Sequence, residues 1–248
     1  MSNFSTIKNQ IQELIDLANA TTGKTDEDLT TALNSLMSGY GSGSDSGGGS
    51  ATDSLNLMDY VGCIYNMFNN VAFPENTDLV LNIPKFKNAD TTSCFYYATG
   101  LNSITLSCEA REIKMNANNM FRGCTTVKKI DLSNFNRLFY NAGNCFYGCT
   151  ALDEIVGELN LTLVNNVDAI FGNCTALSEI CFVTGGIVKS LNINNSSLLS
   201  DASIQSIIDG LADLTGGTAQ TLTLHADVKA KLTDTQIAAI TSKNWTLA

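Results

Sequence analysis

Eight cysteines and one histidine are the residues best equipped for chemistry in this 248-residue chain, and their spacing decides what they can do. Cys145, Cys149, Cys174 and Cys181 stand close enough together to suggest a zinc site, because clustered thiolates bind that ion. Two features point elsewhere. The CxxC knuckle is absent, and the cysteines fall into columns with apolar residues. Cys124, Cys149 and Cys174 share one column with Ala98, and Cys94 and Cys145 share another with Met120 and Ile170. Replacement by Ala, Met or Ile marks core slots, where a reduced thiol behaves as a modest hydrophobe. Zinc stays as the alternative.

His225 excludes sites that need several histidines, so any Cys–His or Ser–His pair would have to be built around this residue alone. Asp153, Glu154 and Glu179 align with Asn102, Lys128, Ser103 and Lys129, which reads as a solvated edge rather than an acid–base pair. Neither a P-loop nor a dinucleotide fingerprint occurs. The expectation is therefore a chain that is not an enzyme, with no catalytic, cofactor or metal-binding residues.

The cysteine columns belong to a wider self-alignment with a period of about 25 residues. Phe95, Phe121, Phe146 and Phe171 each begin a short block that ends at Thr99, Thr125, Thr150 and Thr175. Leu101, Val127, Leu152 and Leu177 follow, and then Ile104, Ile130, Ile155 and Ile180. Leu79-Val80-Leu81 lies in phase with Ile104-Thr105-Leu106, and a weaker apolar set recurs at Ile113, Leu138, Leu163 and Val188. A fixed period of this length marks stacked supersecondary units, each burying its face against its neighbours. Gly123, Gly148 and Asn173 occupy a turn column suited to positive φ. The threonine column suggests a hydroxyl ladder tying successive units together.

Composition narrows the function classes. With 14 Lys+Arg against 24 Asp+Glu the net charge is −10, which argues against nucleic acid, because phosphate binding needs clustered basic side chains. No apolar run reaches the roughly 18 residues of a membrane span, and Met1 to Lys8 lack the apolar core of a secretory signal. A soluble chain without membrane insertion is expected.

Four segments follow. Residues 1–40 carry two amphipathic helical stripes, Ile7, Ile11, Leu14, Ile15 and Ala18, then Leu29, Leu33, Leu36 and Met37. Such short helices need a partner, which makes this segment a candidate for docking or self-association. Residues 41–54 are a Gly/Ser linker. Residues 55–199 hold the repeats. In 200–248 a stripe of Ile204, Ile207, Ile208, Leu211 and Leu214, an alternating Thr221–Leu224 run, a Thr233/Gln236 capping box and a closing Trp245-Thr246-Leu247 read as an α/β C-terminal cap.

The pattern F-x-G-C-T-x-L-x-x-I-x-L over roughly residues 60–199 resembles the BspA-type leucine-rich repeats of bacterial and protist surface proteins. The resemblance implies an α/β leucine-rich-repeat solenoid, rich in short strands, and non-enzymatic adhesion to a protein or glycan on a cell surface. The chain lacks the Asn or Cys that commonly follows L-x-L, so the regular parallel ladder of other leucine-rich repeats is not assumed. Leu14 to Lys24, Ile204 to Leu211 and Thr241 to Leu247 look like segments of phage tail-associated proteins, which implies a virion or cell-surface location.

For such a surface the candidate binding residues are Tyr96, Arg122 and Tyr147, which share the column after the buried Phe, and Phe139, which should face opposite Leu138. The bland reading is that they merely shield the turn edges. Two rivals are a hydrolase or lyase acting in a groove, for which acidic residues clustered near His225 would speak, and a purely structural assembly role through residues 1–40.

Overall fold

A computed structural model describes residues 53–56, 66–82 and 89–248. The expected helices within 1–40 and most of the 41–54 linker lie outside the described residues. Asp53 and Ser54, assigned to the end of that linker, instead open a strand, β1 (Asp53–Asn56).

The chain is an α/β protein with mostly parallel strands and few helices. One seven-stranded sheet runs in the order β1, β2 (Ala72–Asn82), β4 (Thr99–Asn116), β5 (Lys129–Asn141), β6 (Glu154–Leu161) and β7 (Glu179–Ile187). The short β3 (Ala89–Asp90) pairs beside the distal end of β4. Every pairing is parallel. β4 is 18 residues long and absorbs both strand-like segments expected for that stretch into one strand whose register breaks after Thr105 and after Cys108.

Register explains why the apolar columns are buried. Leu79 pairs with Ile104, Ile104 with Ile130 and Ile130 with Ile155, so these side chains share one face and are all at most 4% exposed. Between strands, turns stack as well. Each contains two left-handed residues four apart: Ser93 and Tyr97, Asn119 and Gly123, Asn144 and Gly148, Ala169 and Asn173. Gly123, Gly148 and Asn173 have φ of 75°, 76° and 59°, as their types required. Backbone N–H groups of one turn donate to carbonyls of the next, Phe95 to Met120 at 2.7 Å, Phe121 to Cys145 at 2.8 Å and Phe146 to Ile170 at 2.9 Å. That ladder satisfies amides which would otherwise be buried without partners.

Inside the turns the phenylalanines form a column. Rings of Phe68, Phe95, Phe121, Phe146 and Phe171 are stacked at centroid separations of 5.1, 5.4, 5.4 and 5.5 Å, and Phe182 ends the column edge-on at 6.3 Å. Offset stacking at this distance adds to the burial of each ring. The thiols lie beside it. Cys124, Cys149 and Cys174 each donate an S–H at 3.0 Å to the carbonyl of Phe95, Phe121 and Phe146 respectively. The threonines do not form the expected ladder. Thr99, Thr125, Thr150 and Thr175 are exposed, and of these four only Thr175 reaches back, to the Thr150 carbonyl at 3.4 Å, while the neighbouring Thr126 bonds the Leu101 carbonyl at 2.8 Å. The reason is orientation: the column pointing inward at that level is cysteine.

Beyond β7 come a three-stranded parallel sheet of β8 (Leu191–Ile193), β9 (Gln220–Leu224) and β10 (Trp245–Leu247) and three helices: α1 (Asp201–Gly210), which packs against β7, α2 (Ala226–Lys229), and α3 (Asp234–Ser242), which packs against β10. The expected capping box is present at Thr233 and Gln236. Lys243 Nζ donates to the carbonyls of Ile208 (2.9 Å) and Leu211 (3.0 Å), where the α1 dipole is negative. Trp245 Nε1 donates to the Ala212 carbonyl at 2.9 Å. None of the described helices is long and apolar enough to cross a membrane.

Candidate recognition surface

The residue after each stacked Phe leaves the core, and three of these positions come together. Arg122 Cζ lies 5.8 Å from the Tyr96 ring centroid and 5.0 Å from that of Tyr147, so the guanidinium sits between two aromatic faces. The stacking of turns makes this unavoidable: Tyr96, Arg122 and Tyr147 occupy the same position on adjacent levels. On the next level the residue is Gly172. A Cβ there would fall 2.6 Å from the Tyr147 ring, so glycine is what lets that ring lie down. Asn173 Nδ2 donates to the Tyr147 hydroxyl at 3.2 Å.

Arg122 Nη1 donates to Asn119 Oδ1 at 3.3 Å, and its buried Nε has no hydrogen-bond partner. Among the described residues no carboxylate pairs with this guanidinium. Most of its donor capacity is therefore unspent within the chain.

Tyr97 extends the surface and was not singled out by sequence reasoning. Its ring meets Tyr96 edge-on at 4.6 Å and lies against Gly123, where an added Cβ would be 2.5 Å away. It is 44% exposed. Its φ is 52°, at a turn position held elsewhere by Asn70, Gly123, Gly148 and Asn173. A tyrosine in the left-handed region carries strain on the order of 1–2 kcal/mol. The type pattern at this position, Asn or Gly except once, was the available signal.

Phe139 does not belong to this surface. It is 4% exposed, and its register partner Met115 is fully buried. The expected alternation placed Ile113, Leu138, Leu163 and Val188 inward, yet Leu163 is 45% exposed and Val164 only 4%. Around Phe139 the β4–β5 register is interrupted between Cys108 and Ile113, so face alternation cannot be carried through from the start of the strand. Leu163 and Val164 lie beyond the end of β6, where strand alternation does not apply.

Among the described residues no group of three or more His, Cys, Asp or Glu is placed to hold a metal ion. Burial raises the Cys145 and Cys174 thiols well above their ordinary range, and Cys149 is raised by its hydrogen bond with Cys124 and then by burial. These thiols stay protonated in the fold. The folded values exceed the unfolded value of about 8.5, so their contribution to stability is complete below that pH and is lost as pH rises through the folded values. The expected result is little alkylation of Cys145, Cys149 and Cys174 by iodoacetamide at pH 8, and prompt labelling once denaturant is added. Rapid native labelling of all three would place the column in solvent.

His225 caps α2, its Nδ1 accepting from the Asp227 amide at 3.2 Å. Glu154 pairs with Lys129 at 2.8 Å, Asp153 accepts from the Ser178 hydroxyl, and Glu179 accepts from Ser200 at 2.9 Å. Comparison with protein-family models, curated proteins and solved structures finds no match for this chain.

Proposed function

We propose that this chain is a non-enzymatic recognition module, a leucine-rich-repeat solenoid of the BspA type that displays the ledge of Tyr96, Arg122 and Tyr147 to a protein or glycan on a cell surface, from a phage tail or a bacterial surface. The single observation carrying the reading is the guanidinium held between two tyrosine rings, bonded within the chain only to Asn119 and paired with no carboxylate among the described residues. Tyr and Arg are the types that dominate binding energy at interfaces, and here the chain has already ordered them, which lowers the entropy lost on binding. The solenoid part of the proposal draws on the parallel registers and the stacked turns. The engagement of His225 as a helix cap supports the non-catalytic reading.

The test is the triple variant Tyr96→Ala, Arg122→Ala, Tyr147→Ala. These side chains are half-buried on turns, so folding should survive with a melting temperature lower by several degrees. Binding to intact bacterial cells or their surface extract should fall by at least about 30-fold, the weight of one interface hot spot of about 2 kcal/mol. Undiminished binding by a folded triple variant would remove the ledge from the interface.

A further inference from the structure

The ledge has more definite chemistry than a general adhesive patch. We infer that it takes a carboxylated saccharide: a pyranose stacks on the exposed face of Tyr97, and a sugar carboxylate meets the Nη groups of Arg122. This rests on the recognition reading above and names the ligand class of the same surface.

Three independent observations converge. Tyr97 keeps one face against Gly123 and is 44% exposed, so a flat aromatic surface is held in place and open to a ligand. It holds that pose at a left-handed φ of 52° where asparagine or glycine would be unstrained, and strain of this kind collects where a side chain has a task. Arg122 is a planar cation whose Nη1 bonds only Asn119, whose Nε is buried, and whose Nη2 has no hydrogen-bond partner and no carboxylate beside it among the described residues. Guanidinium matches carboxylate bidentately.

The surroundings favour sugar over peptide. Asn119 and Asn173, at left-handed positions of the same stacked turns, bond Arg122 and the Tyr147 hydroxyl, so side-chain amides stand beside the guanidinium and an aromatic ring. An aromatic face, amides and one cation correspond to a ligand with an apolar C–H face, hydroxyls and one acid group. The net charge of −10 disfavours a densely sulfated or phosphorylated polymer, whereas a solitary carboxylate needs only the one cation present.

Titration of the full chain by calorimetry or saturation-transfer NMR decides it, with 3′-sialyllactose and trigalacturonate as probes and lactose as the neutral control. Saturable binding of at least one acidic probe is expected, at least about tenfold tighter than lactose, and the two probes tell sialic acid from uronate. Arg122→Met should abolish the preference for the acid. Tyr97→Asn introduces the residue found at positions 70 and 173, so it should fold with a melting temperature within about 3 °C of the parent and lose at least about tenfold in saccharide affinity. No binding of either acidic probe, or equal binding by the Tyr97→Asn chain, overturns the inference. In that event, cell binding still abolished by the triple variant would leave the recognition reading standing, and the ligand would be a protein epitope. Cell binding unaffected by the triple variant would remove both.

Discussion

Phe121→Ala should lower stability by about 3–5 kcal/mol, the usual range for emptying a fully buried aromatic site. Phe121 is 0% exposed and has a parallel ring 5.4 Å away on each side. Collapse into the void is blocked, because the backbone on both sides is tied level to level by the Phe95–Met120 and Phe121–Cys145 hydrogen bonds. Against a total of about 5–15 kcal/mol for an ordinary domain this is a large fraction, and the melting temperature should drop on the order of 10 °C. Phe121→Leu keeps most of the volume and should cost under about 1.5 kcal/mol. Equal losses in the two variants would mean that the ring does not fill a rigid slot.

The second large effect is expected at Gly100. Its φ is +80°, and a Cβ on it would lie 2.0 Å from the Phe73 carbonyl oxygen and 2.7 Å from the carbonyl carbon. Those are backbone atoms at the start of β2, so no side-chain rotation relieves the clash and the β2–β4 pairing must open locally. Gly100→Ala should therefore cost at least about 4 kcal/mol, in the range reserved for severe defects. Gly148→Ala is the control. Its φ of +76° is equally left-handed, but its nearest neighbours are 3.7 Å away, so only the backbone strain of about 1 kcal/mol applies. Denaturant midpoints of the two variants separate the contributions. Similar midpoints would show that Gly100 does not approach β2 so closely.

Much of the core was legible in the sequence because one residue type recurs in each slot. Phe, Ile and Cys repeat at fixed spacing, and each set lies on one face of the structure. The positive φ at Gly123, Gly148 and Asn173 and the Thr233 capping box were equally readable, since both depend on local chemistry. Register was not. The β4–β5 register breaks between Cys108 and Ile113, and no residue type announces it, so simple alternation puts Phe139 outside the core although it is buried. Leu163, exposed, lies beyond the end of β6, where alternation gives no guide. The inward orientation of the thiols instead of the threonines likewise depends on how the turns stack.

The proposed recognition residues show the same division. Tyr96, Arg122 and Tyr147 could be aligned by phase, and the structure brings them within cation–π distance of one another. Tyr97 could not be recognised from phase alone, because its role follows from a left-handed backbone and from the lack of a side chain on Gly123.

Proton and nitrogen shifts of the Arg122 side chain in solution test the ledge most directly. A guanidinium between two tyrosine faces has Hδ and Hε resonances displaced upfield by ring currents, and both should return toward ordinary arginine positions in Tyr96→Leu, Tyr147→Leu protein. Unperturbed Arg122 shifts in the parent chain would mean that the three side chains do not assemble, and the recognition surface built on them would not exist.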